Sequence, residues 1–101
     1  MYIRVAADGE LSLQESDNLR AFSIREDSRG DAARRLAHIA SPAEDNHYWL
    51  DADAVLEISG RKLDQTWVSA YWDMLASVAA FGYYDDANKR VKAHVEHNDK
   101  D

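Results

Sequence analysis

The sequence predicts an α+β fold, with a small, mainly antiparallel sheet packed against one long helix in the C-terminal half and one or two short helices beside it. Three observations carry this. Residues 64–81 place apolar side chains at the three-and-four spacing of a helix face. Residues 2–6, 19–26 and 90–96 contain apolar and polar side chains in alternation, the period of a half-buried strand. Between the first two apolar runs stands Asp8-Gly9, a hairpin signal. A chain of 101 residues fits one domain. Residues 1–101 are therefore read as a single unit, with 97–101 as a frayed polar tail.

The elements follow in order. Tyr2–Ala6 alternates Ile3 and Val5 with Tyr2, Arg4 and Ala6, and Glu10–Leu13 pairs back on it across Asp8-Gly9. A third strand is expected within Leu19–Glu26, where Phe22 and Ile24 alternate with Ser23 and Arg25. Asp31 is placed to cap a helix over Asp31–Ala40, with Ala33, Leu36, Ala37 and Ala40 on one side. Ser41-Pro42-Ala43-Glu44 reads as a stop, or as the capping box of one more short turn.

His47–Leu50 reads as extended. For residues 51–59 the caps favour a helix: Asp51 at its start, a Leu50–Val55 staple and Gly60 at its end. The alternative is a strand with Ala54, Leu56 and Ile58 on one face. The long helix is capped by Asp64, stapled by Leu63 and Val68 and closed by Gly82. Its apolar stripe is Trp67, Ala70, Tyr71, Met74, Val78 and Phe81. The opposite face, Ser69, Asp73, Ala76, Ser77 and Ala80, is small rather than charged. A surface helix normally shows Lys and Glu there. The expectation is that this face is covered, by the same chain or by a second copy. Tyr83-Tyr84 opens a strand and Asp85–Lys89 turns. Arg90–Glu96 alternates as a strand, with a helical stripe of Ala87, Val91 and Val95 as the alternative.

Composition limits the function classes. With 19 acidic against 12 basic residues the net charge is −7, which argues against duplex nucleic acid or anionic membrane as a partner, since phosphates need Lys and Arg. The chain has no cysteine, which removes disulfides, thiolate nucleophiles and Cys-based zinc sites. No apolar run reaches the ~20 residues of a membrane-spanning helix. Met1–Val5 lacks the apolar run of a secretion signal, and a cytoplasmic protein is expected.

The candidate chemistry is sparse. His94-x-x-His97 has metal-ligand spacing on a helix, but a strand turns the two to opposite faces, and no third ligand accompanies them. No metal and no cofactor are expected. Asp51-Ala-Asp53, beside His47 and Tyr48, has two carboxylates of the kind that hold a hard cation or serve as a base, and the simpler reading is that they cap a helix start and complement its dipole. Phosphate-loop and serine-elbow patterns are absent from the sequence. Arg29, Arg34 and Arg35 form a small basic patch on a solvated helix face. Adjacent Tyr71 and Trp72 point about 100° apart on a helix, so one core cannot take both.

Three functions are consistent with this. The first is a non-catalytic interaction module, a homodimer or the partner of a larger protein, with Trp67, Tyr71, Trp72, Ser69, Asp73, Ala76 and Ala80 as its interface. The second is a small cofactor-independent enzyme with a pocket between helix and sheet, using His47, Asp53, Tyr84 and His94. The third is an acidic inhibitor, of the immunity type or a nucleic-acid mimic.

Overall fold

The computed structural model describes residues 1–97. The strands are β1 (Tyr2–Val5), β2 (Leu11–Gln14), β3 (Ser23–Glu26), β4 (Ala40–Pro42), β5 (His47–Asp51), β6 (Tyr84–Asp85) and β7 (Arg90–His97). The helices are α1 (Asp31–Arg35), α2 (Ala52–Ser59) and α3 (Gln65–Ala79). Among the described residues no helix is long and apolar enough to cross a membrane.

The seven strands form one sheet in the order β2-β1-β3-β7-β5-β4, with β6 also on β7. It is mixed, not mainly antiparallel. The hairpin β1–β2 is antiparallel, as are β4–β5 and β5–β7, but the central pairs β1–β3 and β3–β7 are parallel. The physical reason is connectivity. The 15–22 segment carries the chain back past β1, so β3 starts at the same end as β1. The last strand, β7, then enters between β3 and β5. Seven strands also make the sheet larger than the small one expected.

Alternation separates the two faces. Ile3, Val5, Ile24, Leu50, Val91, Ala93 and Val95 are buried and share the core with Ala32 and Leu36 from the α1 region, Val55 of α2, and Trp67, Tyr71 and Leu75 of α3. Arg4, Lys92, His94 and Glu96 alternate with these residues and point the other way. β3 and β6 share one edge of β7, because β5 occupies the other: β6 runs along Arg90–Val91 and β3 along His94–His97. A gap between two strands thus lies in the middle of the sheet.

The helix ends follow local chemistry. Asp51 accepts from the backbone N–H groups of Asp53 and Ala54, and Gly60 closes α2 at φ 71°. Asp64 accepts from Trp67 N, and Gly82 (φ 83°) follows the last turn of α3. Leu63 does not form the expected staple: it is 91% exposed, because the Arg61–Asp64 turn directs it to solvent. α1 ends at Arg35, so Ala40 belongs to an edge strand rather than a helix. Asp31 is not its cap. That position is Gly30 at φ 91°, while Asp31 is buried and paired with Arg34. His97 closes β7 opposite Glu26 and is not part of a tail. The tail expected beyond it lies outside the described residues.

Several acids that cap or turn the chain titrate below the usual carboxylate range. Asp64 is held low by Arg61, Asp85 by Asn88 and Arg90, and Glu44 by Lys92. A folded-state pKa below the unfolded one gives stability that is present above the unfolded value and lost as pH falls through the folded one. Thermal melts followed by circular dichroism should show a flat midpoint near neutrality and a fall below about pH 4. The Asp64→Asn/Asp85→Asn variant should melt lower at neutral pH and show a shallower acid limb. An acid limb as steep as wild type would show that other groups carry the effect.

Candidate functional site: a histidine-rimmed notch

The gap between β3 and β6 opens as a notch of about 330 Å³. Its walls come from five separate stretches. Arg20, Ala21 and Phe22 lead into β3, Met74 and Val78 belong to α3, and Tyr83 precedes β6. Val91, Lys92 and His94 of β7 and His47 of β5 complete it.

Each wall has a local cause. The Met1 amino group donates to Asn18 O (3.2 Å) and Ala21 O (3.1 Å), which fixes the loop carrying Arg20 to Phe22. Lys92 N donates to Tyr83 O at 2.8 Å, which holds Tyr83 beside β7. Met74 and Val78 stand four apart, one turn of helix, on the sheet-facing side of α3.

The antiparallel β5–β7 register sets His47 opposite His94 and Trp49 opposite Lys92. The two imidazole centroids are 5.2 Å apart, with the rings tilted by 53°. His47 Nδ1 lies 3.1 Å from Glu44 O and 2.9 Å from Asp45 O. A carbonyl oxygen only accepts, so Nδ1 carries the hydrogen and Nε2 is left as the free nitrogen. The tight turn makes this possible, with Asp45 and Asn46 at φ 50° and 62°. Asn46 Nδ2 donates to Val95 O and Val95 N to Asn46 O, each at 3.0 Å, tying the turn to β7. His94 Nδ1 stands 4.0 Å from Glu96 Oε1. The Lys92 ammonium pairs with Glu44 at 2.5 Å and lies 5.4 Å from both the Trp49 and Tyr83 ring centres.

The structure thus brings together two of the four catalytic candidates. His47 and His94 meet in the notch, but Asp53 and Tyr84 do not join them. Asp53 is exposed in the first turn of α2. Tyr84 is buried on the helix-covered side, where burial, helped by nearby carboxylates, raises its phenol pKa. Phe22, Met74 and Val78 carry only the signal of core residues in sequence, and nothing local marks Arg20 or Lys92 as part of a site. They meet only once the strands are ordered.

The interface candidates separate. Trp67 and Tyr71 lie in the core, stacked at 5.3 Å and 9°, with Trp67 Nε1 donating to Ser16 O. They are therefore not surface residues of the folded chain. Trp72 is half-buried, with the Lys89 ammonium 5.7 Å from its ring centre. Ser69, Asp73, Ala76 and Ala80 are exposed. No described part of this chain covers that face, contrary to one arm of the expectation. Among the described residues no three His, Asp or Glu side chains gather as a metal site.

No family model, curated protein or solved structure matches the chain.

Proposed function

We propose that this protein is a small-molecule-binding module whose site is the notch between β3 and β6. The observation that carries the reading is the meeting of His47 and His94, from different strands, on the rim of a cavity with Met74 and Val78 in its wall. A concave site with apolar walls and a few convergent polar groups is the usual form of a ligand pocket, and about 330 Å³ falls at the lower end of its range. The geometry favours binding over acid–base catalysis. Asp53 and Tyr84 stand away from the histidine pair, and Glu96 is beyond hydrogen-bond reach of His94.

The test is a fragment panel screened by amide and methyl NMR. Hits should shift Phe22, His47, Met74, Val78 and His94 as one set. Hits that scatter over the surface, or none at all, would sink the proposal.

A second reading is weak self-association through the outer face of α3, favoured by the exposure of Leu63 (91%) and Phe81 (77%) at its two ends. An antiparallel two-fold pair sets Leu63 of one copy near Phe81 of the other, with Ser69, Ala76 and Ala80 allowing close approach. Asp73 stands one residue from the middle of the 63–81 span and so lies near its own counterpart, and like charges oppose the pairing. Sedimentation velocity should therefore show weak dimerisation that strengthens in Asp73→Asn. Monomers for both proteins at high concentration would end this reading.

A further inference from the structure

We infer that the notch takes a small carboxylate with an apolar body and that binding draws a proton onto the histidine pair. This rests on the ligand-binding reading above and names the class of ligand.

The charge of the lining is the first argument. The chain carries −7, yet the notch is lined by Arg20, Lys92 and two imidazoles and by no acid. Lys92 is matched by Glu44, as most cations elsewhere are matched: Arg4 with Asp27, Arg61 with Asp17 and Asp64, Lys62 with Glu57, Arg90 with Asp85. Arg20 makes no ion pair among the described residues and stands exposed at the lip. A guanidinium offers a planar fork that matches a carboxylate.

The rest of the lining sets the ligand's other end. Phe22, Met74 and Val78 give an apolar wall, which a bare inorganic anion leaves unused. A body of about one six-membered ring suits a site of this size.

The proton follows from the hydrogen bonds of His47. Its Nδ1 hydrogen is already given to Glu44 O and Asp45 O. In the neutral ring Nε2 is only an acceptor, and two acceptors repel. To donate to a carboxylate, His47 takes a proton from solvent at Nε2. The charged groups facing the pair are Glu44 from the β4–β5 turn, Lys92 and Glu96 from β7, and Arg20 from the loop before β3. Glu44 is paired with Lys92 and Glu96 with Arg25, so the entering carboxylate is the anion that accepts the new Nε2 hydrogen.

The probes are benzoate, benzamide and inorganic phosphate, titrated into the intact chain by calorimetry and NMR. Benzoate should shift the notch resonances and bind at least about tenfold more tightly than either of the others, the worth of one charge-assisted hydrogen bond. Repeating the benzoate titration in buffers of different ionisation enthalpy should show proton uptake. The uptake should disappear in His47→Gln/His94→Gln, and Arg20→Ala should weaken benzoate without changing the uptake. Circular dichroism confirms that each variant is folded.

Benzamide binding as well as benzoate would overturn the charge argument, and phosphate binding as well would overturn the apolar one. Uptake that persists in the double histidine variant would overturn the proton step. In each of these cases the notch still binds a ligand and the broader reading stands. Failure of benzoate alone, with other fragments binding, ends only this inference. Failure of every probe and every fragment ends both.

Discussion

Replacing Tyr71 by alanine is expected to cost about 3–5 kcal/mol in unfolding free energy, the range for removing a buried aromatic ring. Tyr71 is completely buried, its ring stacks on Trp67, and the Trp72 ring centre stands 5.3 Å from its own, tilted by 59°. Its hydroxyl donates to Ala52 O at 2.9 Å, so the same side chain joins α3 to the start of α2. Burial also pushes its phenol pKa well up, which keeps the hydrogen-bonding proton in place over the whole useful pH range.

Tyr71→Phe separates the two contributions. It keeps the packing and removes one hydrogen bond, so it should cost only about 0.5–1.5 kcal/mol. Urea denaturation of both variants measures the split. If alanine and phenylalanine cost the same, packing at this position is not what holds α3 in place. The result bears on the notch as well, because Met74 and Val78 sit on the next turns of the same helix. A looser α3 should weaken benzoate binding in Tyr71→Phe, although Tyr71 does not line the site.

What the sequence revealed and what it hid divide along the range of the interactions. Asp51 with Gly60 and Asp64 with Gly82 bound their helices, and Asp8-Gly9 marks the β1–β2 hairpin, because caps and turns are decided by residues a few positions apart. The apolar stripe of 33–40 misled for the opposite reason. Leu36 is buried as a helix reading requires, but α1 stops at Arg35 and the next residues turn toward an edge strand on β5. Nothing within that stretch announces a strand partner that lies beyond the next turn. The parallel pairs β1–β3 and β3–β7 are similarly silent, since alternation fixes which face is buried but not the neighbour or its direction. The notch inherits this limit. His47 and His94 were visible as residues. Their meeting depends on the β5–β7 register, and the cavity beside them on β3 and β6 sharing one edge. The outer face of α3 is instructive in another way: no described part of this chain covers it, and cover by a second copy stands as a proposal. Its lack of Lys and Glu suggested cover, yet small residues with one aspartate are stable in water, so low charge alone does not require a partner.

Glu26→Ala should lower stability by about 2–4 kcal/mol, because it strands one buried and one part-buried donor at once. Glu26 ends β3 on the core side and is 3% exposed. Its Oε1 accepts from Ala32 N at 3.0 Å and its Oε2 from Gly30 N at 3.3 Å. These are N–H groups at the start of α1, a helix too short to stand without help. The carboxylate therefore does what the expected Asp31 cap does not, and does it from the sheet. Glu26→Gln tests the assignment. It retains one oxygen for Ala32 N but sets an amide N–H against Gly30 N–H, so its cost should fall between wild type and alanine. Neither α1 nor Glu26 lines the notch, so Glu26→Gln should leave benzoate affinity unchanged while Tyr71→Phe lowers it. If the two variants instead lower affinity in proportion to their stability loss, binding tracks global stability and the local coupling through α3 is wrong.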